Sequence, residues 1–135
     1  MEEKRIASHK LACVIAQFLD DKLAKDITIL NISHVSSLAD YFVIASGDST
    51  PQVKALMETV KEKVKSNFGR LPARSENDTK NRWNLLDYGD VVVHILHKEE
   101  RQTYALEKFW SHAFSILEDD WRACAQEYSE YANSK

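Results

Sequence analysis

The stretch WNLLDYGDVVVHIL, Trp83 to Leu96, decides how this chain folds. Apolar residues alternate in its first half and run almost unbroken in its second, and Tyr88-Gly89 stands between them as a turn. Two strands joined by so short a turn are antiparallel. A period of two puts Trp83, Leu85 and Asp87 on one face of the first strand, with Asn84, Leu86 and Tyr88 on the other. The second strand, DVVVHIL, is apolar enough to be buried on both sides. Trp83 and Leu85 beside an Asp make an interface centre with a charged rim. They serve equally well as the cover of a sheet beneath a helix.

Working outward, Leu11, Val14, Ile15, Phe18, Leu19 and Leu23 recur at steps of three and four and predict a helix over about 4–25, with Lys22 and Lys25 near its C-terminal dipole. Cys13 belongs near that stripe as a small buried residue. DITILNI, 26–32, is β-branched and reads as a strand. SHVSSLAD, 33–40, is a polar connector, and YFVIASG, 41–47, is a second strand. Thr50 as cap and Pro51 as first helical residue open a helix whose stripe is Val53, Leu56, Met57, Val60 and Val64. Gly69 closes it in a left-handed conformation, and Pro72 blocks continuation. ARSENDTKN, 73–81, reads as a polar loop. KEERQTYALEKFW opens a last helix with Leu106, Phe109, Trp110, Ala113 and Leu117 as its buried stripe. The order α-β-β-α-β-β-α predicts a single small α/β domain over 1–117, a mixed β-sheet flanked by helices. Residues 118–135 form a C-terminal extension, helical or loosely docked, with Trp121, Tyr128 and Tyr131 as its anchors.

The 135 residues are 44% apolar and 29% charged, as in one soluble domain, and the net charge of −3 excludes a polybasic nucleic-acid binder. Acidity is local: residues 76–107 hold four Lys or Arg against seven Asp or Glu. An acidic face suits a basic protein better than bare phosphate. Cys13 and Cys124 are too few and too far apart for a disulfide framework and suit a reducing compartment. Acids at positions 2 and 3 argue against a signal or transit peptide, and no apolar run is long enough to span a membrane.

The chemistry-bearing candidates are weak. ASGDST sits at a strand-to-helix turn, where backbone N–H groups bind phosphate; this makes Ser46–Thr50 the candidate nucleotide site of an alternative enzyme reading. Nucleotidyltransferases pair such a turn with an Asp-x-Asp that holds Mg²⁺, and no Asp-x-Asp or Glu-x-Glu follows Gly47 on a predicted strand. Capping of the helix start is the simpler reading. His94 and His97 point to opposite faces of one strand, there is no HExxH, and no Cys/His pair is read at ligand spacing, so neither metal nor cofactor is expected. His94 reads as a hydrogen-bonded core residue. Neither a nucleophile triad nor a stacking platform for single-stranded nucleic acid is visible.

SLADYFVIASGDSTPQVKALMETV (37–60) and WNLLDYGDVVVHILHKEERQTYALEKFW (83–110) together resemble the ribosomal silencing factor family, also called the Iojap-like proteins. The resemblance covers about 26–110. Trp83, Leu86-Asp87-Tyr88-Gly89-Asp90, Val93-His94, Arg101, Tyr104, Leu106-Glu107 and Trp110 all fall at the family's spacing. It implies a nucleotidyltransferase-like fold without the catalytic acids and no enzymatic activity. It also implies binding to ribosomal protein fourteen of the large subunit, which blocks joining to the small subunit and represses translation under nutrient limitation. Homodimers in the free state are implied too. On that reading Trp83 and Leu85 are the apolar centre of the contact, Glu76, Asp87 and Asp90 meet the partner's Lys and Arg, and Tyr88 adds aromatic area at the rim. The expected setting is the bacterial cytoplasm or an organelle after transit-peptide removal. In one place the chain departs from the family: Arg74-Ser75-Glu76-Asn77 has Asn where a Gly is usual, a turn that Asn's tolerance of positive φ is expected to preserve.

Overall fold

In the computed structural model, which describes residues 6–105, 108 and 112–133, a six-stranded sheet carries three long helices on one face. Helix α1 (Ser8–Asp21) is followed by β1 (Lys25–Asn31) and β2 (Tyr41–Gly47), then by α2 (Thr50–Phe68). Next come β3 (Arg74–Asn77), β4 (Trp83–Asp87), β5 (Val91–His97) and the short α3 (Lys98–Tyr104). A three-residue strand, β6 (Phe114–Ile116), precedes the last helix, α4 (Glu118–Asn133). The strand order is β3-β4-β5-β2-β1-β6. Among the described strands only β2 and β5 pair in parallel, across the passage that contains α2, so the sheet is mixed, as expected from the sequence.

The sheet's two faces differ. On the first, Ile29, Tyr41, Val43, Ala45, Leu86, Val91, Val93 and Ile95 pack beneath α1, α2 and α4 in the main core. Trp121 of α4 is 1% exposed in that core, and Tyr128 lies 5.2 Å, ring to ring, from Phe68. Arg122 holds Asp20 of α1 through two hydrogen bonds of 2.9 and 3.1 Å, which lower the Asp20 carboxyl pKa. Residues 118–133 are thus a docked helix. On the second face, Leu30, Ile32, Ala39, Phe42, Ile44, Val92 and Leu96 form a smaller cluster, with Trp83, Leu85 and Ala113 partly buried against it. Arg101 of α3 reaches that side and donates to Thr28 Oγ1 at 3.1 Å.

The structure differs from the sequence reading at several points. The first helix stops at Asp21: Leu23 leaves the stripe with φ +65° and is exposed, and Lys25 already belongs to β1. The cap of α2 is Ser49, one residue earlier than expected, because its hydroxyl accepts from Gln52 N–H. Gly69 closes α2 at φ +66°, in the expected left-handed conformation. Part of the polar loop is a strand, β3, which takes its hydrogen bonds from β4. Asn77 lies extended in β3 opposite Asn84, and the positive φ in this region falls on Asn81 instead. The helix after His97 ends at Ala105, φ +44°, so Ala113 and Leu117 are not on a helical stripe; Leu117 is exposed beside β6. Leu106, Phe109 and Trp110, and the side chain of Tyr131, lie outside the described residues.

Candidate functional surface

The second sheet face opens at the β3–β4 edge into a cleft of about 400 Å³ lined by Glu76, Asp78, Trp83, Leu85, Glu100 and Tyr104. Sequence alternation positions its floor. Trp83 and Leu85 stand opposite Leu96 and His94 on β5, and Glu76 stands opposite Leu85 on β3. The indole N–H of Trp83 donates to His94 Nδ1 at 3.2 Å, so the imidazole hydrogen is on Nε2. His94 is 7% exposed, and Phe42 meets its ring edge-on at 4.8 Å between centroids. Burial pushes the His94 pKa down to about 4, partly opposed by the Asp87 charge. This neutral imidazole fixes the indole on one side; Tyr104 of α3 packs on it at 4.9 Å between ring centroids.

The rim of the cleft is acidic and held by its own hydrogen bonds. Arg82 donates to Glu99 and Glu100, each at 2.8 Å, which anchors the start of α3 and keeps the Glu100 carboxyl below its usual range. Asp78 accepts from the backbone N–H groups of Lys80 and Arg82, and Asn84, fully buried, accepts from Asp78 N–H while donating to Asn81. Glu76 is exposed and lies 3.6 Å from Arg74. Carboxylates ringing two aromatic side chains and a leucine suit a basic, partly apolar protein surface.

The six predicted contact residues do not all gather here. Glu76, Trp83 and Leu85 line the cleft. Asp87 shares their face, and its carboxylate caps Gly89 N–H at 2.8 Å in the hairpin turn. Asp90 sits beyond the turn in an ion pair with Arg70 at 2.8 Å, and its carbonyl accepts from Asp40 and Tyr41. Tyr88 is a correction: it is 5% exposed, part of the main core on the opposite face, with Arg70 5.8 Å from its ring. Burial pushes its hydroxyl up to about 12. Its parity with Asn84 and Leu86 directs it under the helices, away from the rim. Asp78, Glu100 and Tyr104 are cleft residues absent from the predicted set. Their place depends on the Arg82 and Asn84 contacts, which no local pattern encodes.

At the Ser46–Thr50 turn and the helix start behind it, three of the N–H groups that a phosphate could use are engaged. Asp48 N–H binds Gln52 Oε1 at 2.7 Å, Gln52 N–H binds Ser49 Oγ, and Val53 N–H binds Ser49 O. A Cβ on Gly47 would meet Val53 Cγ2 at 3.1 Å, so the glycine serves close packing of strand on helix. The absence of a Cys/His pair at ligand spacing also needs correction. His9 and Cys13 are four apart on α1, and α4 brings Cys124 to them. Among the described residues, no helix is long and apolar enough to cross a membrane.

The family model described as "Ribosomal silencing factor during starvation" matches residues 5–135. The chain belongs to the ribosomal silencing factor family. A member from Bacillus subtilis strain 168, named ribosomal silencing factor RsfS, is 43% identical over 100 residues, covering 74% of this chain and 84% of that one. A more distant relative from Mus musculus, named mitochondrial assembly of ribosomal large subunit protein 1, is 31% identical over 73% of this chain and 44% of its own length. A solved structure of a protein from Chromobacterium violaceum superposes with a TM-score of 0.75 at 35% identity, over 78% of this chain and 88% of that one.

Proposed function

We propose that this family member represses translation by occupying the large ribosomal subunit through ribosomal protein fourteen, on the face that meets the small subunit, so that the two subunits cannot join. The activity is occlusion and needs no catalysis. The observation that carries the reading is the cleft itself. Trp83, Leu85 and Tyr104 are held in place by His94 and α3, and Glu76, Asp78 and Glu100 ring them. Such a site presents rigid aromatic area at low entropic cost and a rim that steers a basic partner. Asp87, on the same face, extends the acidic margin toward the turn. The expected setting is the bacterial cytoplasm, or an organelle for a processed relative, and the free protein is expected to dimerise.

Co-sedimentation with separated ribosomal subunits tests the proposal. The protein should pellet with the large subunit and not the small one, and less so at higher salt, because exposed charges are screened. It should also lower subunit joining in a purified system. Equal pelleting with both subunits, or joining unaffected by saturating protein, would reject it.

A further inference from the structure

Far from the cleft, on the helical face, three soft metal-ligating side chains converge. His9 and Cys13 are one turn apart on α1, and Cys124 comes from α4, at the opposite end of the sequence. A ring nitrogen of His9 and the sulfurs of Cys13 and Cys124 all lie within 4.8 Å of one another, and the Cys124 Sγ to His9 Nδ1 distance is 3.7 Å. Two ligands of a tetrahedral zinc ion, one sulfur and one nitrogen, sit about 3.6 Å apart. The cluster therefore has nearly the dimensions of a zinc tetrahedron's ligand face. Cys13 is fully buried, Cys124 is 9% exposed and His9 is exposed, so an ion can enter from the His9 side. The His9 ring is braced edge-on by Tyr41, 5.7 Å away between centroids. Among the described residues the other group of candidate ligands, His97, Glu99 and Glu100, is already engaged: His97 Nδ1 caps Glu99 N–H, and both carboxylates bind Arg82.

We propose that His9, Cys13 and Cys124 bind one Zn²⁺ ion, which ties α4 to α1 and leaves a fourth coordination position to solvent. Two thiolates and one imidazole are the donor set that zinc prefers over harder divalent ions. On binding, each thiol releases its proton to solvent as a Zn–S bond forms, and no electrons move. Burial, reinforced by Cys124, holds the Cys13 thiol protonated in the metal-free protein. The ion acts as a clip on the C-terminal helix, distinct from the proposed ribosomal contact.

The test is titration of the full chain, reduced with a non-chelating agent, with Co²⁺ followed by competition with Zn²⁺. One Co²⁺ per chain should bind, with thiolate-to-cobalt charge-transfer absorption and the visible bands of a tetrahedral site. Zn²⁺ should displace it, raise Tm and protect both cysteines from alkylation. Cys124→Ala should lose the charge-transfer band, and His9→Gln should raise the Kd by roughly tenfold or more, since one of three protein ligands is gone. His9 lies at the exposed side of the cluster and Cys124 is nearly buried, so circular dichroism checks the folding of both variants. The absence of a thiolate band in the parent protein would overturn the proposal. So would an unchanged cobalt spectrum in folded Cys124→Ala.

Discussion

His94 makes the stability of this protein depend on pH in a calculable way. Its pKa lies at about 4 in the folded protein, chiefly through burial, against an ordinary 6.5 in the unfolded chain. Between those values the unfolded state binds the extra proton, so stability is full above about pH 6.5 and falls as pH falls toward 4. The linkage relation gives a loss of about 2 kcal/mol between pH ~7.5 and pH ~5, and about 3 kcal/mol by pH ~4. His94→Gln removes the titration and retains an oxygen that can accept from the Trp83 indole. The measurement is urea unfolding of both proteins across this range. The parent should lose about 2 kcal/mol more than the variant by pH ~5. The Asp20 and Glu100 carboxyls, held low by their arginines, are present in both proteins and cancel in the difference. Parallel stability curves would refute the reasoning, as would a His94 ring titrating near its ordinary value by NMR.

Four further outcomes follow from the same geometry. Trp83→Ala should weaken large-subunit binding by about 2 kcal/mol or more, read by pelleting at graded concentration, with circular dichroism unchanged. Trp121→Ala should destabilise the fold by about 3–5 kcal/mol in denaturant unfolding, because the indole is 1% exposed in the main core. Asn84→Ala should cost about 1–3 kcal/mol, since Asp78 N–H loses its acceptor; hydrogen exchange should quicken in 78–81 before the rest of the sheet. Gly89→Ala should cost about 1–2 kcal/mol of stability from backbone strain alone, because φ is +91° and no atom crowds the added methyl.

The hairpin and both faces of β4 were legible because alternation is a local signal. The same alternation places Tyr88 opposite Trp83, so a rim role for it already conflicted with the pattern. β3 was hidden because Arg74–Asn77 is polar and exposed throughout: its strand conformation comes from its neighbour, β4, and not from propensity. The end of α3 was hidden because KEERQTYALEKFW contains no Gly or Pro to mark the left-handed residue at Ala105. The cleft was half legible. Its strand residues follow period two, but Glu100 and Tyr104 reach it only because α3 is anchored by Arg82 and Arg101.

The packing of α4 on α1 sets an order for biosynthesis. The first helix leaves the exit tunnel with Leu11, Ile15 and Leu19 uncovered, and the helix that completes its cover is translated after every strand of the sheet. A nascent chain can pair β2 with β5 while still tethered, but its apolar first helix stays incompletely shielded until Trp121 emerges. A chain stalled or cleaved before that point would be a natural client for chaperones that bind exposed apolar helices. Completion of the fold is thereby coupled to the emergence of α4.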